Sequence, residues 1–106
     1  TDNADYAEYF RAEKNMSPGE VVGLNLKNGL VRPYQKGDEL LGVVTTNPGV
    51  LGNSNETGEF IVPVALLGQV PFVKEQVNIK NNIIYTKDDV RIGFLLNNGL
   101  LFLRIN

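Results

Sequence analysis

The sequence predicts an all-β fold, a compact domain of short strands and β-hairpins, on three observations. Turn signals recur at short intervals: Ser17-Pro18-Gly19-Glu20, Lys27-Asn28-Gly29, Lys36-Gly37-Asp38-Glu39, Asn47-Pro48-Gly49 and Asn97-Asn98-Gly99 divide the chain. The segments between them are rich in Val, Leu, Ile and Phe, residues that suit a pleated, half-buried surface. None holds a helical period over about ten residues without a Gly or Pro, so long helices are not expected.

Each element follows from these signals. "VVGLNLKNGLVRPY" and "VRIGFLLNNGLLFLRI" share one plan, a strand, an Asn-Gly turn and a returning strand. Asn28-Gly29 and Asn98-Gly99 can both take positive φ, so a type I′ turn is expected at each. "ELLGVVTTNPGVLG" reads as a strand running into a turn, followed by the polar loop 52–59. "EFIVPVALLGQVPFVKE" reads as two strands broken near Gly68, with Pro63 and Pro71 at edges or strand ends because proline cannot donate to a ladder. "VNIKNNIIYTKDD" adds one strand around Ile83 to Thr86. In the last strand Leu101, Leu103 and Ile105 alternate with Leu100 and Phe102, so apolar residues occupy both faces. Two-sided burial in so small a domain fits a sandwich centre or a subunit interface.

Composition narrows the function. The 106 residues fit one domain, 1–106, in which an acidic-aromatic leading segment, 1–16, precedes the β-domain, 17–106. Ten basic and twelve acidic residues give a net charge of -2 with no Lys/Arg cluster, so nucleic acid is not an expected partner. Cys and His are both absent, which excludes thiol nucleophiles, zinc sites of the usual kind and a Ser-His-Asp triad. No P-loop or dinucleotide fingerprint occurs, and neither a cofactor nor a metal is expected. The apolar runs are much shorter than the roughly 20 residues a helix needs to cross a bilayer. The first residues also lack signal-peptide order, so no membrane span is expected. Lys74, Lys80 and Lys87 are scattered among polar neighbours and read as solubilising charges.

The decapeptide "TDNADYAEYF" is where acids and aromatics crowd together. If helical, Asp2, Asp5 and Glu8 lie roughly along one face, and carboxylates shielded by rings could divide into an acid and a base. If extended, Asp2 and Glu8 point one way and Asp5 the other. No site then forms within one chain, although the groups could meet across a subunit interface. The bland alternative is that the acids cap or solvate while Tyr6 and Phe10 pack. The loop "NPGVLGNSNETG" gathers Asn, Ser and Thr, and such a segment is more often a solvated connection than a site.

Taken in order, "NADYAEYF", "SPGEVVGL", "KGDELLGVVTTNPGVLG", "VPVALLGQVPF" and "VRIGFLLNNGLLFLRI" resemble the C-terminal domain of phage tail spike (pre-neck appendage) and bacterial fibre proteins. This domain is an intramolecular chaperone with autoproteolytic activity. The most specific element is "ADYAEYF" followed by "GVVTTNPGV". The resemblance implies a homotrimer that holds the upstream fibre shaft of the same chain in register, located on a virion tail appendage or a cell-surface fibre. It also implies a self-cleavage at or next to Thr1 and Asp2, with Asp2, Asp5 and Glu8 as the participating acids. The competing expectation is a receptor-binding or adhesin tip without catalysis, using the loop 47–58 and in particular Asn53 to Glu56.

Overall fold

The computed structural model describes residues 4–46, 49–53 and 57–105. Among these, ten strands form one sheet: β1 (Ala4–Arg11), β2 (Val21–Leu24), β3 (Val31–Pro33), β4 (Glu39–Val44), β5 (Val50–Leu51), β6 (Ile61–Val70), β7 (Val77–Lys80), β8 (Ile83–Thr86), β9 (Arg91–Leu95) and β10 (Leu101–Arg104). A short 3-10 turn, Lys74–Gln76, precedes β7. The all-β expectation therefore holds.

The organising element is β6. One edge carries β1, antiparallel from Ala4↔Gln69 to Arg11↔Ile61. The other edge is shared end to end, β4 pairing at Val64 and Ala65 and β10 pairing from Leu67 to Val70. Two antiparallel arms thus spring from one strand, β4-β2-β3 and β10-β9-β8-β7. The β1 register skips Leu66, passing from Tyr6↔Leu67 to Ala7↔Ala65, so Leu66 is the extra residue of a β-bulge. A bulge bends its strand and raises its twist, and this one lies where β4 gives way to β10 along β6.

Three expectations about this region change. The expected break near Gly68 is absent: Gly68 takes φ +105° and stays inside a continuous ten-residue strand. Pro63 lies within β6 and not at a strand end. Its carbonyl accepts from Thr45 N–H (3.0 Å), and in an antiparallel ladder a residue's N–H faces the same side as its carbonyl. The missing donor therefore falls past the last β4 residue and removes no bond to β1. Finally, "VNIKNNIIYT" holds two strands and not one, β7 and β8.

The hairpins stand where expected, with different turns. Asn25 N–H to Leu30 O closes a four-residue loop, and Leu96 N–H to Leu100 O a three-residue loop. In each only the glycine has positive φ, +75° at Gly29 and +85° at Gly99, so neither is type I′. Asn28 and Asn98 instead accept the N–H of Leu30 and of Leu100 on their side-chain oxygens, both at 3.0 Å. This local side-chain bond competes with the left-handed backbone that a I′ turn would demand. The I′ signature lies at Asn81 (φ 52°) and Asn82 (φ 60°), joining β7 to β8.

Both arms contribute to one core. Val21, Leu40 and Val43 of the first arm meet Val77, Ile84, Ile92, Leu101 and Leu103 of the second, with Ala65 and Val70 of β6 between them. A second cluster, Val22, Val31, Val44, Val62, Val64 and Ala12, covers the reverse face of the first arm beneath Phe10, Met16 and Phe60. Neighbouring residues such as Val21 and Val22 therefore serve different cores, as strand alternation requires. Each fully buried valine contributes about 1.5–3 kcal/mol relative to exposure. Backbones approach closely where glycine allows it: a Cβ at Gly42 would overlap the Ala65 carbonyl, and one at Gly93 the Phe102 carbonyl.

Candidate functional site

The acidic-aromatic segment is extended as β1, so its residues alternate between faces. Asp5 stands opposite Gly68 and Ala7 opposite Ala65 on the core side, while Tyr6 and Glu8 stand opposite Leu67 and Val64 on the reverse side. Asp5 and Glu8 consequently share no face. The extended alternative applies, and one chain does not bring these two acids together. Thr1 and Asp2 lie outside the described residues.

Asp5 is 4% exposed. Its Oδ1 accepts the Gly49 N–H at 3.0 Å, and its Oδ2 is buried with no hydrogen-bond partner. Buried polar atoms are nearly always paired, because stripping water from one costs about 1–3 kcal/mol. A bare carboxylate oxygen on the segment singled out by sequence is thus an unexpected polar feature among the described residues. Glu8 is differently placed. Its Oε2 accepts the Tyr6 hydroxyl at 2.6 Å, and this bond, with a smaller effect of burial, raises the Tyr6 phenol above its ordinary pKa. Gly52 lies against the pair, where any side chain would overlap the Tyr6 hydroxyl.

The segment 49–53 clamps β1 along its free edge. β5 pairs parallel with it, Tyr6↔Val50 and Ala7↔Leu51, and Gly52 N–H donates to Ala7 O at 2.8 Å. Asn53 then substitutes for a strand, its Oδ1 accepting Tyr9 N–H (2.6 Å) and its Nδ2 donating to Tyr9 O (3.3 Å). Two motifs remote in sequence, "ADYAEYF" and "GVLGN", form one unit. Asn53, a residue of the loop considered for adhesion, is engaged in holding β1. Ser54, Asn55 and Glu56 lie outside the described residues.

Two polar clusters went unread in the sequence. Arg32 grips Asp38 with two bonds, Nη2 to Oδ1 (2.7 Å) and Nε to Oδ2 (3.1 Å), which holds the Asp38 carboxyl below its usual pKa. Glu13 accepts from Asn25 (2.8 Å) and Asn28 (3.0 Å) beside Arg32, and is lowered chiefly by those two amides. Farther along, Asp88 receives the Thr86 hydroxyl on Oδ1 (2.6 Å) and the Tyr34 hydroxyl on Oδ2 (3.0 Å). Its pKa falls, mainly through Thr86, while burial and then Asp88 raise that of Tyr34. Tyr34 and Asp88 line a cleft of about 440 Å³. Lys87, read as a solubilising charge, donates to Val77 O and Asn78 Oδ1, both at 3.2 Å, and ties the β8–β9 loop to β7.

Among the described residues no group of acidic, His or Cys side chains gathers to hold a metal, and no helix is long and apolar enough to cross a membrane. No family model, no curated protein and no solved structure matches this chain. Fold and site define it as an all-β, single-sheet domain with a clamped leading strand.

Proposed function

We propose that the chain is a trimerising cap and intramolecular chaperone of a phage tail spike or bacterial fibre, displayed on a virion appendage or cell surface. The observation that supports it best is the reverse face of the second arm. Phe102 stands opposite Phe94, Phe94 opposite Ile83, and Leu67 opposite Arg104, with Leu67 52% exposed. Phe94, Phe102 and Ile83 are half-buried, and none of the four belongs to either core cluster. Phe102, Phe94 and Ile83 form one cross-strand row, with Leu67 diagonal to Phe102 beyond Gln69, and an uncovered apolar row of this kind marks a contact surface. Three copies meeting there would hold three shaft segments together, and the raised effective concentration would favour their pairing.

Self-cleavage belongs to the same reading. Water attacks the peptide carbonyl next to Asp2, one carboxylate takes the water's proton, and the departing amine receives a proton from a second acid. Asp5 and Glu8 face opposite sides of β1, so with these two as the pair the roles fall to acids of different copies. Native mass spectrometry of the chain carrying its upstream segment reads both properties. The expected result is a trimer of shortened chains, and an intact trimer in the Asp5→Ala, Glu8→Ala variant. A folded monomer would overturn the assembly reading, and cleavage unaffected by both substitutions would overturn the assignment of the acids.

A further inference from the structure

A second site lies away from β1, in the cleft between the β3–β4 loop and the 3-10 turn before β7. Both segments are tied to Val21, whose carbonyl accepts the Tyr34 N–H (2.8 Å) and whose N–H donates to Gln76 Oε1 (2.9 Å). Tyr34 lies against Gly23, where an added Cβ would crowd Asp38 first and then the Tyr34 ring, and its hydroxyl is pinned to Asp88. The ring is therefore fixed in place as a wall of the cleft. Its volume, about 440 Å³, falls within the range of small-ligand sites.

The groups not used by the fold determine what such a cleft can hold. Asp88 is occupied by Thr86 and Tyr34, and Lys87 by Val77 and Asn78. Among the described residues the Lys36 ammonium, which acts on Asp88 through its charge alone, the Glu75 carboxylate and the Gln76 Nε2 have no hydrogen-bond partner, and all three residues line the cleft. They present donors and an acceptor beside one aromatic ring. With Lys36 and Lys87 balanced by Glu75 and Asp88, the lining has no net charge to attract a phosphate or a polycation. A hydroxyl both donates and accepts, so the several hydroxyls of one sugar can bond to Glu75 and to Lys36 while its C–H face lies on Tyr34. A zwitterion would rely on two exposed ion pairs, which contribute little in water.

The geometry points to a binding site for a neutral saccharide unit, built by Tyr34, Lys36, Glu75 and Gln76. This site uses no residue of the apolar face proposed for assembly and stands or falls separately from it. The test is a titration of the isotope-labelled full chain, followed by amide NMR, with glucose, galactose, N-acetylglucosamine and, as a zwitterionic control, glycylglycine. Concentrations to about 50 mM cover the millimolar affinities of a small open site. At least one sugar is expected to shift the amides of 34–36, 74–76 and 87–88 in a saturable way. Tyr34→Ala and Glu75→Ala should each weaken that binding at least about fivefold. Exposed Glu75 lets its variant keep the wild-type spectrum elsewhere, so the test survives if Tyr34→Ala does not fold. Shifts from none of the sugars, shifts confined to other regions, or a response to glycylglycine alone would overturn the assignment.

Discussion

The two arms that leave β6 share a sheet and a core but differ on their reverse faces. Behind β2, β3 and β4 the chain covers itself: Val22, Val31, Val44 and Val64 lie under Phe10 of β1, Met16 of the segment after it and Phe60 just before β6. Behind β8, β9 and β10 the described residues provide no such cover, and Phe94 and Phe102 remain half-exposed near Leu67. Cations stand near ring faces in this second arm, Arg91 5.6 Å from the centre of Phe94 and Lys80 5.9 Å from that of Tyr85. Cation–ring contacts at exposed sites contribute only about 0.5–1 kcal/mol and do not replace burial. The contrast teaches that the doubly apolar last strand has one face committed to the core and the other uncovered among the described residues.

The contrast can be broken from either side. The largest effect is expected from Leu103→Ala, which empties a site with 0% exposure and should cost about 2–5 kcal/mol in denaturant unfolding without altering the number of associated copies. Next come Gly42→Ala and Gly93→Ala, one in each arm, where the added Cβ meets a carbonyl oxygen. Each should cost about 1–3 kcal/mol by overpacking, and a much smaller cost in the second arm would show that its backbone yields.

A pH titration separates the arms further. The Asp38 pKa is depressed in the folded state by Arg32, so its stabilising effect is full above the unfolded value, about 3.9, and is lost as pH falls below it. Wild type should lose stability through that range faster than Asp38→Asn, read from thermal melts, and parallel melts would remove the Arg32–Asp38 bond from the account. The smallest effect is expected at the β7–β8 turn. Asn82 holds φ 60°, and Asn-Gly is the favoured type I′ pair, so Asn82→Gly should gain a few tenths of a kcal/mol in the melting curve.

How much of this was legible depends on the range of the interaction. Local signals were readable: glycines and asparagines mark the hairpins, and the alternation of Leu101 with Phe102 marks a two-sided strand. Turn type was not, because the Asn28 and Asn98 side chains satisfy a neighbouring N–H and free the backbone from the I′ conformation. β7 escaped because Asn81-Asn82 lacks the glycine that announces a tight hairpin, and β6 read as broken because a bulge and a positive-φ glycine resemble a loop. At the candidate site the acids were legible as residues, but their surroundings come from far along the chain. Gly49 bonds Asp5 and Asn53 bonds Tyr9, both 44 positions away, and no local pattern encodes either contact.

The uncovered face of the second arm is proposed to meet other copies of the chain. Light scattering of wild type and Phe102→Glu at matched concentrations tests it most directly, with circular dichroism to confirm that both are folded. Three copies are expected for wild type and one for the variant. Folded wild type at the mass of one chain, or a variant that keeps the wild-type mass, would contradict it.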